Sequence, residues 1–130
     1  MANFTALFDA NVLYPAPLRD LLIELALTGH FRAKWSNEIH DEWIRNLIKN
    51  RTDLKESDLL RTRKAMDSAV LDSLVENYQS LIPTLTLPDE SDRHVLAAAI
   101  RGRADVIVTL NIKDFPESEL SKYSISAQHS

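Results

Sequence analysis

Phe4-Thr5-Ala6-Leu7-Phe8-Asp9-Ala10-Asn11-Val12-Leu13 decides how this chain is read. The apolar run Phe4–Phe8 has the length of a buried strand, closes on a carboxylate and passes at once into helix-compatible residues. A parallel strand of that kind presents Asp9 at the carboxyl edge of its sheet, the edge where open α/β folds bind ligands. Further strand signals lie at Phe31–Trp35, Leu81–Leu85 and Asp105–Leu110, with a weaker one at Tyr123–Gln128. The β-branched run Val106-Ile107-Val108, placed after Gly102, predicts a central buried strand.

Helical patterns fill the intervals. Pro17 suits a first helical turn, and Leu18, Leu21, Leu22, Leu25 and Ala26 mark one face until Gly29. Ser36 is a good N-cap for a helix that turns Ile39, Trp43 and Leu47 inward. A long helix is expected from Glu56 to about Tyr78, and Ser91 or Asp89 can cap another over His94–Arg101. Strands alternating with helices predict βαβ crossovers and a mainly parallel sheet of about five strands, covered on both faces. The stretch Asn50–Lys55 reads as a mobile loop.

The 130 residues are enough for one domain with a proper core, and 1–130 is read as a single unit. A 45 % hydrophobic and 26 % charged composition is that of a folded soluble protein. Without cysteine there is neither a disulfide nor a thiolate metal site. Met1-Ala2-Asn3 lacks the basic start of a signal peptide, and no apolar run is long enough for a membrane span, so the cytoplasm is the expected compartment. The formal charge of −4 does not suit a generic nucleic-acid binder, but seven of the fifteen basic residues gather in one stretch. These are Arg45, Lys49, Arg51, Lys55, Arg61, Arg63 and Lys64. They read either as a solvated helical face or as a surface that tracks phosphates.

Three further acids, Glu42, Asp92 and Asp114, can reach the edge that Asp9 marks. Each has a plain explanation alone: Asp9 as a cap, Glu42 as an exposed helical residue, Asp92 in a first turn where the macrodipole favours it, and Asp114 as a turn residue. Together they would repel, and a cation relieves that repulsion. Oxygen ligands without cysteine or histidine suit Mg²⁺ or Mn²⁺ rather than zinc. An ion so held, with its waters, is suited to phosphoryl displacement.

Four motifs resemble the PIN domain, and more narrowly its toxin-like, VapC-type bacterial branch. They are Asp9-Ala10-Asn11-Val12-Leu13, Ile39-His40-Asp41-Glu42-Trp43, Pro88-Asp89-Glu90-Ser91-Asp92-Arg93-His94-Val95-Leu96-Ala97-Ala98-Ala99, and Val108-Thr109-Leu110-Asn111-Ile112-Lys113-Asp114-Phe115-Pro116. They occur in the family's order and cover most of the chain. The resemblance implies a three-layer α/β/α fold and a Mg²⁺- or Mn²⁺-dependent endoribonuclease leaving a 5′-phosphate and a 3′-hydroxyl. It assigns the catalytic metal site to Asp9, Glu42, Asp92 and Asp114, with Asn11, Thr109 and Asn111 supporting it. It also implies an RNA substrate, a small cognate antitoxin and scope for a homodimer, with the apolar arm Leu59–Val75 offering an interface or, equally, an intramolecular cap. Many relatives continue beyond the final strand, so a C-terminus shorter than theirs is expected.

The remaining residues carry less. Asp89 reads as a cap or turn residue, Asp41 as solvent-facing, and His94 as a surface or packing residue. His30, His40 and His129 share no metal-ligand spacing. Trp35 and Trp43 belong in the core. The competing reading is a PIN-fold module that binds RNA or protein without cutting. A phosphatase using Asp9 as nucleophile ranks last, because Asn11 stands where a second aspartate would be needed.

Overall fold

A computed structural model describes residues 4–129; Met1–Asn3, read above for a leader, and Ser130 lie outside them. Four parallel strands form the sheet: β1 (Thr5–Phe8), β2 (Arg32–Lys34), β3 (Val106–Thr109) and β4 (Ser126–His129), in the order β2-β1-β3-β4. Helices α1 (Ala10–Leu13) and α2 (Ala16–Leu27) connect β1 to β2, while α3 (Asn37–Asn50), α4 (Glu56–Ala69) and α5 (Arg93–Arg101) connect β2 to β3. The short α6 (Glu117–Leu120) leads into β4.

That order positions the site. The first crossover steps to one side of β1 and the second steps back across it. Crossovers of one hand therefore place α2 on one face and α3 and α5 on the other, while α4 lies at the edge, where it shares a groove with α2. This is the expected α/β/α sandwich, and the reversal lies between β1 and β3, where Ala6 pairs with Val106 and Phe8 with Val108. Side chains alternate across the sheet. Ala6, Phe8, Val106 and Val108 line an apolar groove beside Leu18 and Leu22 of α2. Leu7, Ile107, Asp9 and Thr109 consequently face the layer of α3 and α5.

Local chemistry explains most boundaries. Ser36 accepts the Ile39 amide at 3.1 Å and starts α3. Gly29 takes φ +84° behind α2, a conformation that ends the helix at little steric cost. Val95, Leu96, Ala97, Ala98 and Ala99 of α5 are all buried, and their small side chains let the helix lie close to the sheet. Gly102 is needed for contact: a Cβ there would lie 2.9 Å from Val75 Cγ2.

Two expectations fail together. The helix after Glu56 stops at Ala69 instead of reaching Tyr78. Val70 leaves the helix, and Asp72 and Asn77 adopt left-handed φ of 59° and 62°, which their short polar side chains tolerate. Between them Leu74 makes a single parallel bridge to Trp35, with Val75 N donating to Trp35 O at 2.8 Å. Leu81–Leu85 is not a strand. Pro83 lacks an amide proton, and Gln79–Thr84 coils as a 3₁₀ turn. Among the described residues the sheet thus has four strands rather than about five.

A buried polar chain fastens α3 and α4 to β2. Trp43 Nε1 donates to His40 Nδ1 at 3.0 Å, so the neutral ring carries its proton on Nε2, which donates to Asp67 Oδ1 at 2.8 Å. Trp35 Nε1 donates to the same Asp67 oxygen at 2.7 Å. Burial pushes the His40 pKa down more than Asp67 pulls it up, and the net direction is downward. Arg19 is also buried; it donates to Leu13 O at 2.7 Å and lies 4.6 Å over the Trp43 ring, joining α1 to α3.

Candidate active site

Asp9 is 5 % exposed, and its surroundings are made by the two strands that flank the reversal. One oxygen accepts the Ala10 amide at 2.7 Å, at the start of α1. The other accepts the Thr109 hydroxyl at 3.0 Å and Asn11 Nδ2 at 3.3 Å. Thr109 Oγ1 in turn accepts Asn11 Nδ2 at 3.2 Å and the Asn111 amide at 3.1 Å. Asn11 Oδ1 takes the Leu110 amide at 3.1 Å, which fixes which way its side-chain amide faces. Asn11 and Thr109 therefore lock the Asp9 carboxylate, while Asn111 contributes through its backbone. Burial raises the Asp9 pKa and Glu42 adds to the rise, outweighing the Thr109 and Ala10 hydrogen bonds that oppose it.

Glu42 comes from the middle of α3, and its Oε1 lies 3.4 Å from His94 Nε2 at the start of α5. Burial pushes the His94 imidazole down, but Glu42, Glu38 and Asp9 outweigh it, and its pKa is raised. Asp92 sits one residue before α5, in the 3₁₀ turn Glu90–Asp92. Its carboxyl is pushed up to about 6, first by burial and then by the charges of Asp9, Asp89, Asp114 and Glu42. Asp114 reaches the same field from the 3₁₀ turn Ile112–Asp114 that follows β3. The four expected acids share one electrostatic neighbourhood at the reversal of strand order.

Asp89 accepts the Ser91 amide at 2.9 Å and the Ser91 hydroxyl at 2.7 Å, as a turn residue does, yet its charge also bears on Asp92. Asp41 points away and pairs with Arg63 at 2.6 Å. His94 is the residue sequence reasoning undervalued. The signal was its position two residues after Asp92, on the first turn of α5.

The donor chemistry fits a hard divalent cation: oxygen ligands, excess negative charge, and partial burial that makes an uncompensated charge costly. Among the described residues no three acidic or histidine side chains stand close enough to grip an ion directly.

A sequence model of the PIN domain matches residues 5–113, from the first residue of β1 to Lys113, next to Asp114. The chain belongs to the PIN domain family. Over 38 residues it is 63 % identical to a protein named putative ribonuclease VapC50 of Mycobacterium tuberculosis (strain ATCC 25618 / H37Rv). That match takes in 29 % of this chain and 22 % of the relative, so it spans about a fifth of the relative's length.

The basic stretch of this PIN domain divides in two. Arg51 pairs with Asp53, Arg61 with Asp58 and Arg63 with Asp41. The side chains of Arg45, Lys49, Lys55 and Lys64 form no such pair among the described residues. Arg45 and Lys49 lie one turn apart on the exposed side of α3, next in sequence to the ridge that carries Glu42.

Proposed function

We propose that this PIN domain is a Mg²⁺- or Mn²⁺-dependent endoribonuclease and the toxin partner of a toxin–antitoxin pair, acting in the cytoplasm. The observation that carries this reading is the placement of Asp9, locked by Thr109 and Asn11, in one field with Glu42, Asp92 and Asp114 at the strand-order reversal. The notch of Asp9, Asp92, Asp114 and Glu42 would hold the cation with fewer than three direct side-chain ligands and the remaining acids acting through its waters; when bound it would neutralise charge on the scissile phosphate and supply an activated water.

The protein's own groups do the positioning. Thr109 and Asn11 keep the Asp9 oxygens from rotating away, so no reorganisation is needed when substrate arrives. His94 restrains the Glu42 carboxylate from the α5 side. Arg45 and Lys49 would hold the RNA backbone beside the cut. The printed name of the partly matched relative, a putative ribonuclease, supports RNA as substrate; a 5′-phosphate and a 3′-hydroxyl are the products the family resemblance implies. An antitoxin would act by covering the acidic notch, and no helix among the described residues is long and apolar enough to cross a membrane.

The test is incubation with structured and unstructured RNAs in Mg²⁺, Mn²⁺ or EDTA, comparing the native protein with Asp9→Asn. Cation-dependent cutting that disappears in the variant is the expected result. Equal cutting by both, or binding without any cutting, refutes the nuclease reading. Growth arrest on expression, relieved by the product of an adjacent gene, separates a toxin from an RNA-processing enzyme.

A further inference from the structure

Beside the acidic notch lies a groove of about 330 Å³ lined by Asn11, Tyr14, Glu42, Asn46, Asn50 and Leu110, with Ala10 and Pro15 at its margin. Glu42, Asn46 and Asn50 follow one another at intervals of four along α3, so they form a single ridge along one wall. Glu42 stands at the acidic end. Asn50 Nδ2 donates to the Tyr14 hydroxyl at 3.0 Å and closes the far end against α1. The opposite wall is Leu110, whose backbone amide is held by Asn11. The side chain of Asn46 has no hydrogen-bond partner among the described residues.

We infer that this groove receives an unpaired nucleobase next to the scissile phosphate, and that Asn46 and Asn50 read its edge. The inference rests on the nuclease reading above and adds to it a determinant of sequence preference. A volume of about 330 Å³ is at the lower end for ligand sites, ~300–1,000 Å³, which suits one nucleoside and not a duplex. Sequence-specific RNA recognition favours such splayed, unstacked bases. A carboxamide offers both donor and acceptor, so it can pair with a base edge where a lysine or a carboxylate could use only one sense of hydrogen bond. Tyr14, Pro15 and Leu110 supply the partly apolar walls that a base face needs.

Charge placement supports the same occupant. The unpaired cations Arg45 and Lys49 are each next in sequence to this ridge or one residue short of its end, outside the groove. Backbone phosphates can follow the cationic stripe while one base turns inward along the amide ridge. A groove made for a free carboxylate or phosphate would instead carry its cation inside. Here, among the described residues, the one charged side chain in the lining is Glu42.

The experiment is cleavage-site sequencing on a randomised single-stranded RNA library and a hairpin-loop library, with Mn²⁺, using native protein, Asn46→Ala, Asn50→Ala and Arg45→Ala. Thermal melts confirm that each variant is folded. Native protein should show a base preference at one position flanking the cut. The asparagine variants should reduce the preferred-to-disfavoured ratio at that position by about 10-fold, the discrimination a good side-chain contact to a base supplies. Arg45→Ala should slow all sites and leave the ratios unchanged. Native protein that cuts without any flanking preference, or asparagine variants that keep the full ratio, overturns the inference and leaves the nuclease reading intact. If native protein cuts neither library with Mg²⁺ or Mn²⁺, the nuclease reading fails and this inference fails with it.

Discussion

Replacing Asp92 by asparagine should stabilise the cation-free protein at neutral pH. The carboxyl of Asp92 holds its proton up to about 6, against 3.8 for the ordinary group, because of burial and four neighbouring acids. At ~1.4 kcal/mol per pH unit, forcing ionisation at pH 7 costs roughly 3 kcal/mol at face value. The side chain is only half-buried, and solvent screening reduces this to about 1–2 kcal/mol. The sign follows from proton linkage: the folded state binds the proton more tightly, so ionisation destabilises it. The penalty is absent below about pH 3.8, grows between there and 6, and is full above 6.

His40 pulls the other way. Its depressed pKa means that stability is present above 6.5 and is lost as the pH falls from there towards the folded value. The pH profile of the native protein alone therefore mixes two opposite trends. The difference between native and Asp92→Asn cancels His40, which both proteins contain, and reads Asp92 together with the Asp9 carboxylate coupled to it. Urea unfolding with EDTA at pH 5, 6, 7 and 8 should show the variant gaining about 1–2 kcal/mol at pH 8 and about half that at pH 5, or ~3–8 °C in Tm at the upper end. Adding Mg²⁺ or Mn²⁺ should raise the native Tm more than the variant's, by preferential binding to the folded state. A flat difference between pH 5 and 8 would show that Asp92 is neither buried enough nor close enough to the other acids to hold its proton, and would refute the shared notch.

Other outcomes follow from the same geometry. Asp9→Asn should reduce cation-dependent cleavage at least ~100-fold while the fold is retained, as read by single-turnover rates beside a melting curve. Thr109→Val, which leaves Asp9 in place but frees one oxygen, should lower the rate while binding of RNA changes little. The double variant Arg45→Ala/Lys49→Ala should flatten the salt dependence of RNA binding by about 1.4 in log–log slope if each cation holds one phosphate, measured by fluorescence anisotropy. His40→Ala empties a buried position, orphans Trp43 Nε1 and leaves Asp67 with the Trp35 bond alone, so chemical denaturation should show a loss of about 3–4 kcal/mol.

The parts of the fold legible in the sequence are those where one local signal was sufficient. Phe4–Phe8 and Val106–Val108 are short and apolar on both faces, which only a buried parallel strand accommodates. The failures lie where apolar periodicity was asked to decide a boundary. Leu74 and Val75 continue the helical spacing of α4, yet they belong to the bridge at Trp35, because backbone bonds to β2 compete with another turn of helix. Nothing in their side chains distinguishes the two. Leu81–Leu85 has a strand's composition, but Pro83 cannot donate to a ladder, and that single missing proton outweighs the propensity of its neighbours.

Asp9 was conspicuous for a different reason, as a carboxylate at a strand end, and Glu42, Asp92 and Asp114 gain their interest from bearing on the same electrostatic field. The residues that hold them were less so. His94 satisfies a plain packing reading until α3 is placed against α5, when its Nε2 comes within 3.4 Å of Glu42. Asn46 and Asn50 have no signature in one dimension, since an exposed asparagine on a helix is unremarked until the opposite wall is known. Their significance depends on α1 crossing the foot of α3, a contact set partly by Arg19, whose guanidinium is spent on Leu13 O and the Trp43 ring. Chemistry that one residue type announces can thus be read from a sequence. Selectivity built from a helix ridge and the loop that faces it becomes visible only when the packing that brings them together is known.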